Sequence, residues 1–379
     1  MKKVYWRPPN LSRMGLVLVA VLSGAVMSGV ELLPETKKQR NYGEKVTAAR
    51  LALECMKAIK MEKARLGLGS DPDIDPAETG MIGDNFTQVT SNTGLLSSKL
   101  TTTNPNWAAV VLDLMVKAGI GEGDVVAVGV SGSFPGLNVA TYAAISTLKL
   151  RPIVVASVSS SEWGANNVEY LWLDMERTLR EAHLIDFAAA GATYGGIDDV
   201  GIGLSEEGRQ FIDEAIERNN VRKLDPASLA DAIEQRMTLY DELAGNAPIK
   251  AYINVGGGSA SVGTHVGKKQ FKPGLNLEPP LGAPDSVMMR FARRDVPVIH
   301  LARMKLIAES YGLPFAQRTA IPIGQGRVFV NNEYDWRLAL GGLITIVAIL
   351  LGFLRFDVGM RMLRGMRKRD RGDTPEPMV

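Results

Sequence analysis

The sequence predicts an α/β fold, a mainly parallel sheet with helices on both faces, flanked by N- and C-terminal transmembrane helices. Three observations carry this expectation. Short apolar runs of strand length alternate with amphipathic helical patterns across 104–311, the signature of strand–helix–strand units. Two uncharged apolar runs, 14–30 and 338–354, bracket that region. Bases without matching acids crowd the two ends.

Taken in chain order, 1–13 is a basic tail carrying Lys2, Lys3, Arg7 and Arg13, and 14–33 is the first anchor, with Tyr5 and Trp6 just before it. A cleaved signal peptide competes with this reading, because Ser23, Gly24 and Ala25 supply small residues. The apolar run continues past them to Val30, which favours an uncleaved anchor, and either choice sends the next domain outward. Residues 34–100 read as an amphipathic helix followed by an irregular connector. Val46, Ala49, Leu53, Met56 and Ile59 keep helical spacing over 44–66, whereas 70–100 is rich in Asp, Pro, Gly, Ser and Thr.

In 101–335, an extracytoplasmic α/β domain, strands are expected at 124–130, 153–158, 187–190, 250–255 and 296–301. Helices are expected over 104–119, 135–148, 169–183, 205–218, 225–243, 285–294 and 302–311. Tyr334, Trp336 and Arg337 precede the second transmembrane segment, 338–354, and 355–379 is again basic. Bases gather on the cytoplasmic side of membranes. Both tails are therefore expected in the cytoplasm, with the chain in the cell membrane and its basic ends against anionic lipid headgroups.

The hydrophobic share of 46% and charged share of 22% suit a folded body. Net charge is +2, but without the two tails 32 bases face 37 acids, so the middle is acidic. Nucleic acid is not an expected partner. The single cysteine, Cys55, excludes an intramolecular disulfide and multi-cysteine metal sites, and it falls on the apolar side of a helix as a small hydrophobe. No cofactor is expected, since no glycine-rich loop has Walker or dinucleotide spacing. No metal is expected either. The histidines lack ligand spacing, and the acidic run 71–75, without the glycine and glutamate of a calcium loop, reads as a solvated turn. On the helix after Asn166, Trp172 and Leu173 read as the packed face, Asp174 and Glu176 as the wet one.

Ligands of open parallel sheets bind outside the carboxyl ends of the strands. Four loops there are rich in glycine and hydroxyls, and backbone amides and hydroxyls of that kind suit a carboxylate or phosphate. The candidate ligand-binding residues are Ser131, Gly132 and Ser133 in the first loop and Ser159, Ser160 and Asn166 in the second. The loop at 191–201 holds Asp198 and Asp199, and the last contributes Gly256, Gly257, Gly258 and Ser259. Plain helix capping by Ser133, with Pro135 in the first turn, is the alternative for the first loop. A second hypothesis makes Gly129-x-Ser131-x-Ser133 a nucleophile elbow with a terminal serine in place of glycine. Ser131 would then need His265 or His300 as base, oriented by Asp198 or Asp199. Against it, a histidine beside apolar neighbours, like His300, is commonly a hydrogen-bonded core residue.

Several segments resemble the bacterial membrane proteins called poly-gamma-glutamate system proteins. They are Lys3-Val4-Tyr5-Trp6-Arg7-Pro8, Thr103-Asn104-Pro105-Asn106, the run from Val128 to Pro135, Trp163-Gly164-Ala165-Asn166, Trp172-Leu173-Asp174-Met175-Glu176 and the run from Ile253 to Gly258. The resemblance implies an accessory role in making or exporting poly-gamma-glutamate, as capsule or released polymer. The implied partners are a poly-gamma-glutamate synthetase, which is an amide ligase, and its small membrane subunit. It carries no catalytic residue over. The expectation is thus a membrane-anchored accessory protein with a crevice for a carboxylate or glutamyl ligand. The alternative is a serine-dependent amidase or transferase acting on the same polymer.

Overall fold

The computed structural model describes residues 13–69, 71–264 and 267–356. Seven strands organise the region Lys38–Val330: β1 Val125–Ser131, β2 Arg151–Ser157, β3 Ala189–Thr193, β4 Arg222–Lys223, β5 Ile249–Val255, β6 Gly274–Asn276 and β7 Val298–Leu301. They hydrogen-bond in the order β6-β7-β5-β1-β2-β3-β4, and every pair is parallel except β6 with β7. Nine of the helices serve this sheet: α1 Tyr42–Arg65, α2 Leu96–Thr102, α3 Trp107–Lys117, α4 Pro135–Leu148, α5 Trp172–Glu181, α6 Glu206–Arg218, α7 Leu229–Ala244, α8 Val287–Ala292 and α9 Met304–Tyr311.

The strands divide their side chains between two cores by simple alternation. Val126, Val128 and Val130 of β1 join Val154, Ala156, Ile253 and Val255 in a core shared with α1, α3, α4 and α5. Val125 and Ala127 point the other way and join Ile153, Val155 and Tyr252 under α7 and α8. There Tyr252 stacks on Phe291, with ring centroids 5.0 Å apart, while Tyr240 meets both rings edge-on. A sheet covered on both faces needs apolar residues at successive positions, which is why β1 reads as a continuous run. In α1, Ala48, Ala52, Cys55 and Ile59 recur at three-and-four spacing and are buried, and burial pushes the Cys55 thiol up to about 12. Ser205 and Ser228 cap α6 and α7 by accepting the Gly208 and Asp231 N–H groups.

Each strand and helix expected within 104–311 is present, with ends shifted by four residues at most. β4 and β6, of two and three residues, are too short to show alternation in the sequence. Within the stretch read as an irregular connector, Thr90–Asn92 pairs with Ser160–Ser161, and α2 follows. This order comes from pairing with a distant loop, which local composition does not record.

Two charge assignments are corrected. Asp174 and Glu176, expected on a wet helix face, are both buried. Asp174 is held by the Arg218 guanidinium at 2.6 and 2.8 Å and by the Asn219 amide at 2.8 Å. Asp75, in the acidic run read as solvated, is buried too and accepts from the Gly80 N–H at 2.8 Å. In each case local partners satisfy a carboxylate that propensity alone assigns to water.

The second unit comprises Met1–Lys37 and Asn331–Val379. Its helices, Arg13–Leu32 and Trp336–Phe356, meet where Gly342 lies against Val26, and Lys37 pairs with Glu333 at 2.8 Å. Among the described residues no helix is long and apolar enough to cross a membrane. This overturns the transmembrane segments 14–33 and 338–354, and with them the cell-membrane placement and the outward domain. Each uncharged run has 17 residues, about 26 Å at 1.5 Å per residue, against a hydrocarbon core of about 30 Å. Ser23, Gly24, Ser28 and Gly29 dilute the first, and Gly341, Gly342, Thr345 and Gly352 the second. The basic tails fall largely on residues 1–12 and 357–379, outside the described residues.

Glu176 generates a test of the core. It is 2% exposed, and accepts from the Tyr142 hydroxyl at 2.6 Å and the Ala189 N–H at 2.7 Å. Burial outweighs these bonds and pushes its carboxyl up to about 7. Because the folded state holds this proton more tightly than the unfolded chain, stability is greatest below about pH 4 and declines as pH rises through about 7. Glu176→Gln removes the charge, its amide oxygen accepting from the Ala189 N–H and its amide nitrogen donating to the Tyr142 hydroxyl oxygen. Its stability relative to wild type is expected to grow by about 3 kcal/mol between pH 4 and 8, read from urea unfolding across that range. Parallel stability profiles for the two proteins would refute this.

Candidate functional site

The parallel register brings hydroxyls to one edge of the sheet. Ser131 ends β1 beside Ser157 of β2, and Ser157 lies beside Thr193 of β3. The chain leaves β1 for β2 on one side, whereas β5 lies on the other. Loops leaving β1 and β5 therefore diverge and open a crevice at the switch point. The cavity there has a volume of about 380 Å³ and draws on all four of the glycine- and hydroxyl-rich loops.

Ser131, Ser133, Ser159, Gly257, Gly258 and Ser259 line this cavity. Other candidates stand beside it in different roles. Gly132 allows two backbones to touch: a side-chain carbon there would fall 2.6 Å from the Val158 carbonyl oxygen, and its own carbonyl accepts from Ala165 N–H at 2.7 Å. Ser160 is buried and donates to the Gly132 and Ser161 carbonyls. Asn166 is a structural clamp, exchanging bonds with the Asp84 backbone and donating to Thr90 Oγ1 at 3.0 Å. Gly256, with φ 91°, turns the chain after β5, and its carbonyl accepts from the Asn254 amide at 2.7 Å.

Ser133 is not the helix cap. Phe134 occupies that position, and Ser133 Oγ accepts the Ser161 N–H at 3.0 Å, joining the first loop to the second. Ser131 Oγ accepts from Ser133 N–H at 3.2 Å. His300 is buried on β7 with Nδ1 2.9 Å from the Asn254 amide, and the cavity is not lined by it. Asp198 bends the loop after β3 with φ 57°, while its neighbour Asp199 reaches the cavity. His265 lies outside the described residues.

Sequence reasoning missed the cations that define the site. Lys99, from α2, is 2% exposed. Its ammonium donates to Ser161 Oγ at 2.7 Å and to the Ser133 carbonyl, over the Phe134 ring at 4.3 Å. Burial lowers its pKa to about 7, partly opposed by the Glu162 carboxylate. A signal was present: Lys99 is the one charged residue between Asp84 and Asp113. Behind the cavity, Arg236 and Asp199 form an ion pair at 2.7 Å, each 2% exposed. Asp199 Oδ1 also accepts from Ser157 and Thr193 at 2.9 and 2.8 Å, and the guanidinium donates to the same two hydroxyls. Arg303 contributes a further positive group to the lining. With Asp199 neutralised by Arg236, the cavity combines donors and positive charge, the composition that receives an anion.

Removing one partner of a buried pair strands the other charge. Asp199→Asn and Arg236→Met are each expected to destabilise the fold by about 3–5 kcal/mol, and the double variant to cost less than their sum, as read from urea midpoints. Single-variant losses below about 1 kcal/mol would show that the pair is not the support of this edge. No family model, curated protein or solved structure matches this chain, so the resemblance to the poly-gamma-glutamate system proteins rests on the sequence segments alone.

Proposed function

We propose that the cavity at the carboxyl edge binds a small carboxylate, with a glutamyl group as the ligand suggested by the sequence resemblance. One observation carries the proposal: a buried lysine with a lowered pKa faces a hydroxyl-lined cavity. A buried ammonium is costly without a counter-charge, and Lys99 has only neutral acceptors in contact. A carboxylate entering the cavity provides that charge, and serine hydroxyls satisfy its remaining lone pairs. The volume of about 380 Å³ suits a ligand of a few residues at most. The acidic balance of the middle region disfavours a long polyanion.

The proton linkage has a definite sign. An anion beside Lys99 raises its pKa above the free value of about 7, so binding takes up protons. Affinity is full below pH 7 and falls as pH rises above it, by up to about tenfold per unit. Calorimetric titration with glutamate and a γ-glutamyl dipeptide at pH 6 and pH 9 is expected to show weakening of at least about tenfold at the higher pH. Lys99→Met is expected to abolish binding at both. Equal affinity at the two pH values, unchanged in Lys99→Met, would overturn the reading.

A further inference from the structure

We propose that Ser161 and Lys99 form a nucleophile–base pair that transfers acyl groups through a covalent acyl-serine. This rests on the carboxylate-site reading only for the choice of acyl group, a glutamyl unit; in the reacting complex Lys99 is neutral and faces the acyl carbon, which leaves Arg303 of the lining as the cation for the substrate's carboxylate, and the chemistry rests on independent geometry. Lys99 Nζ stands 2.7 Å from Ser161 Oγ, and both side chains line the same cavity. Neither is loosely held. The Ser161 N–H donates to Ser133 Oγ at 3.0 Å, Ser160–Ser161 pairs with Thr90–Asn92, and the lysine is fixed by the Ser133 carbonyl and the Phe134 ring.

The other hydroxyls offer less. Ser157 is committed to Asp199 and Arg236, and Ser131 accepts a backbone N–H within its own loop. Space above the Ser161 hydroxyl is kept by Gly94, where an added side-chain carbon would fall 3.2 Å from Oγ and 2.5 Å from the Glu162 carbonyl oxygen. A lysine serves as a base only when neutral, and the burial of Lys99 keeps a large neutral fraction near pH 7.

The neutral amine takes the Ser161 hydroxyl proton as Oγ bonds to the carbonyl carbon of an amide or ester. The C–N or C–O bond breaks, and the Lys99 ammonium returns its proton to the leaving amine or alcohol. Water or an acceptor amine then attacks the acyl-serine and gives a proton to Lys99. That proton passes to Oγ as the ester bond breaks, which restores the starting state. No electrons are exchanged.

Full-length protein is incubated with p-nitrophenyl acetate and with γ-glutamyl-p-nitroanilide from pH 6 to 9, and labelled peptides are mapped by mass spectrometry. Acylation is expected at Ser161, with a rate that rises through about pH 7 to a plateau. Ser161→Ala should lose it, and Lys99→Met should slow it by about 10²-fold or more. If Lys99→Met fails to fold, the wild-type pH profile and Ser161→Ala decide. Absence of label on wild-type Ser161 across the range overturns the pair. Glutamate binding by Ser161→Ala is measured in parallel. Intact glutamate binding with no acylation of the wild-type protein sinks the pair and leaves the carboxylate site standing, whereas wild-type acylation at Ser161 without glutamate binding supports the pair and removes that site's ligand.

Discussion

The carboxyl edge of the sheet depends on one buried ion pair, Asp199 with Arg236. Two ions withdrawn from water are tolerated when their remaining hydrogen-bonding capacity is met. Here Ser157 at the tip of β2 and Thr193 at the tip of β3 meet it, so the pair fastens two strand ends to α7. It also holds the loop after β3, where Asp198 and Asp199 both have positive φ, a conformation side-chain-bearing residues seldom keep without support. The hydroxyls of Ser157 and Thr193 are consequently scaffold. Elsewhere in the lining of the same cavity, Ser161 Oγ is in contact with Lys99 at 2.7 Å.

Much of the fold was legible because period-two and period-3.6 patterns are local. The run from Val125 to Val130 is apolar at nearly every position because both faces of β1 are covered, and Pro135 marks the start of α4. The position of the crevice followed from the rule about carboxyl ends, and its glycines and serines were visible as composition. What remained hidden was partnership. Nothing near Ser133 in the sequence announces that its hydroxyl is taken by the Ser161 backbone, and nothing near Asn166 announces its clasp on the backbone at Asp84.

Charged residues were the systematic source of error. A pattern reading sends carboxylates and ammonium groups to water, yet Lys99, Asp174, Glu176 and Arg236 are all buried. Their partners lie 34 or more residues away for the key contacts of Lys99, Glu176, Asp174 and Arg236, beyond the reach of any local window. The terminal segments erred in the opposite direction. Absence of charge over 17 residues resembled a bilayer span, but length and dilution by glycine and serine fall short of one.

The short pairing of Thr90–Asn92 with Ser160–Ser161 ties the chain that leads to Lys99 to the loop that carries Ser161. The parallel strands and their covering helices bury the apolar surface that drives folding, and the loops after β1 and β2 are joined by the Ser161 N–H to Ser133 Oγ bond. The lysine comes from a segment that is itself packed in: Lys99, Leu100, Thr101 and Thr102 are buried, and Thr101 accepts from the Trp107 indole through its carbonyl and from the Ala316 N–H through its hydroxyl. The cation is therefore preorganised: ordering Lys99 is part of folding, and a ligand entering the cavity does not meet that cost again.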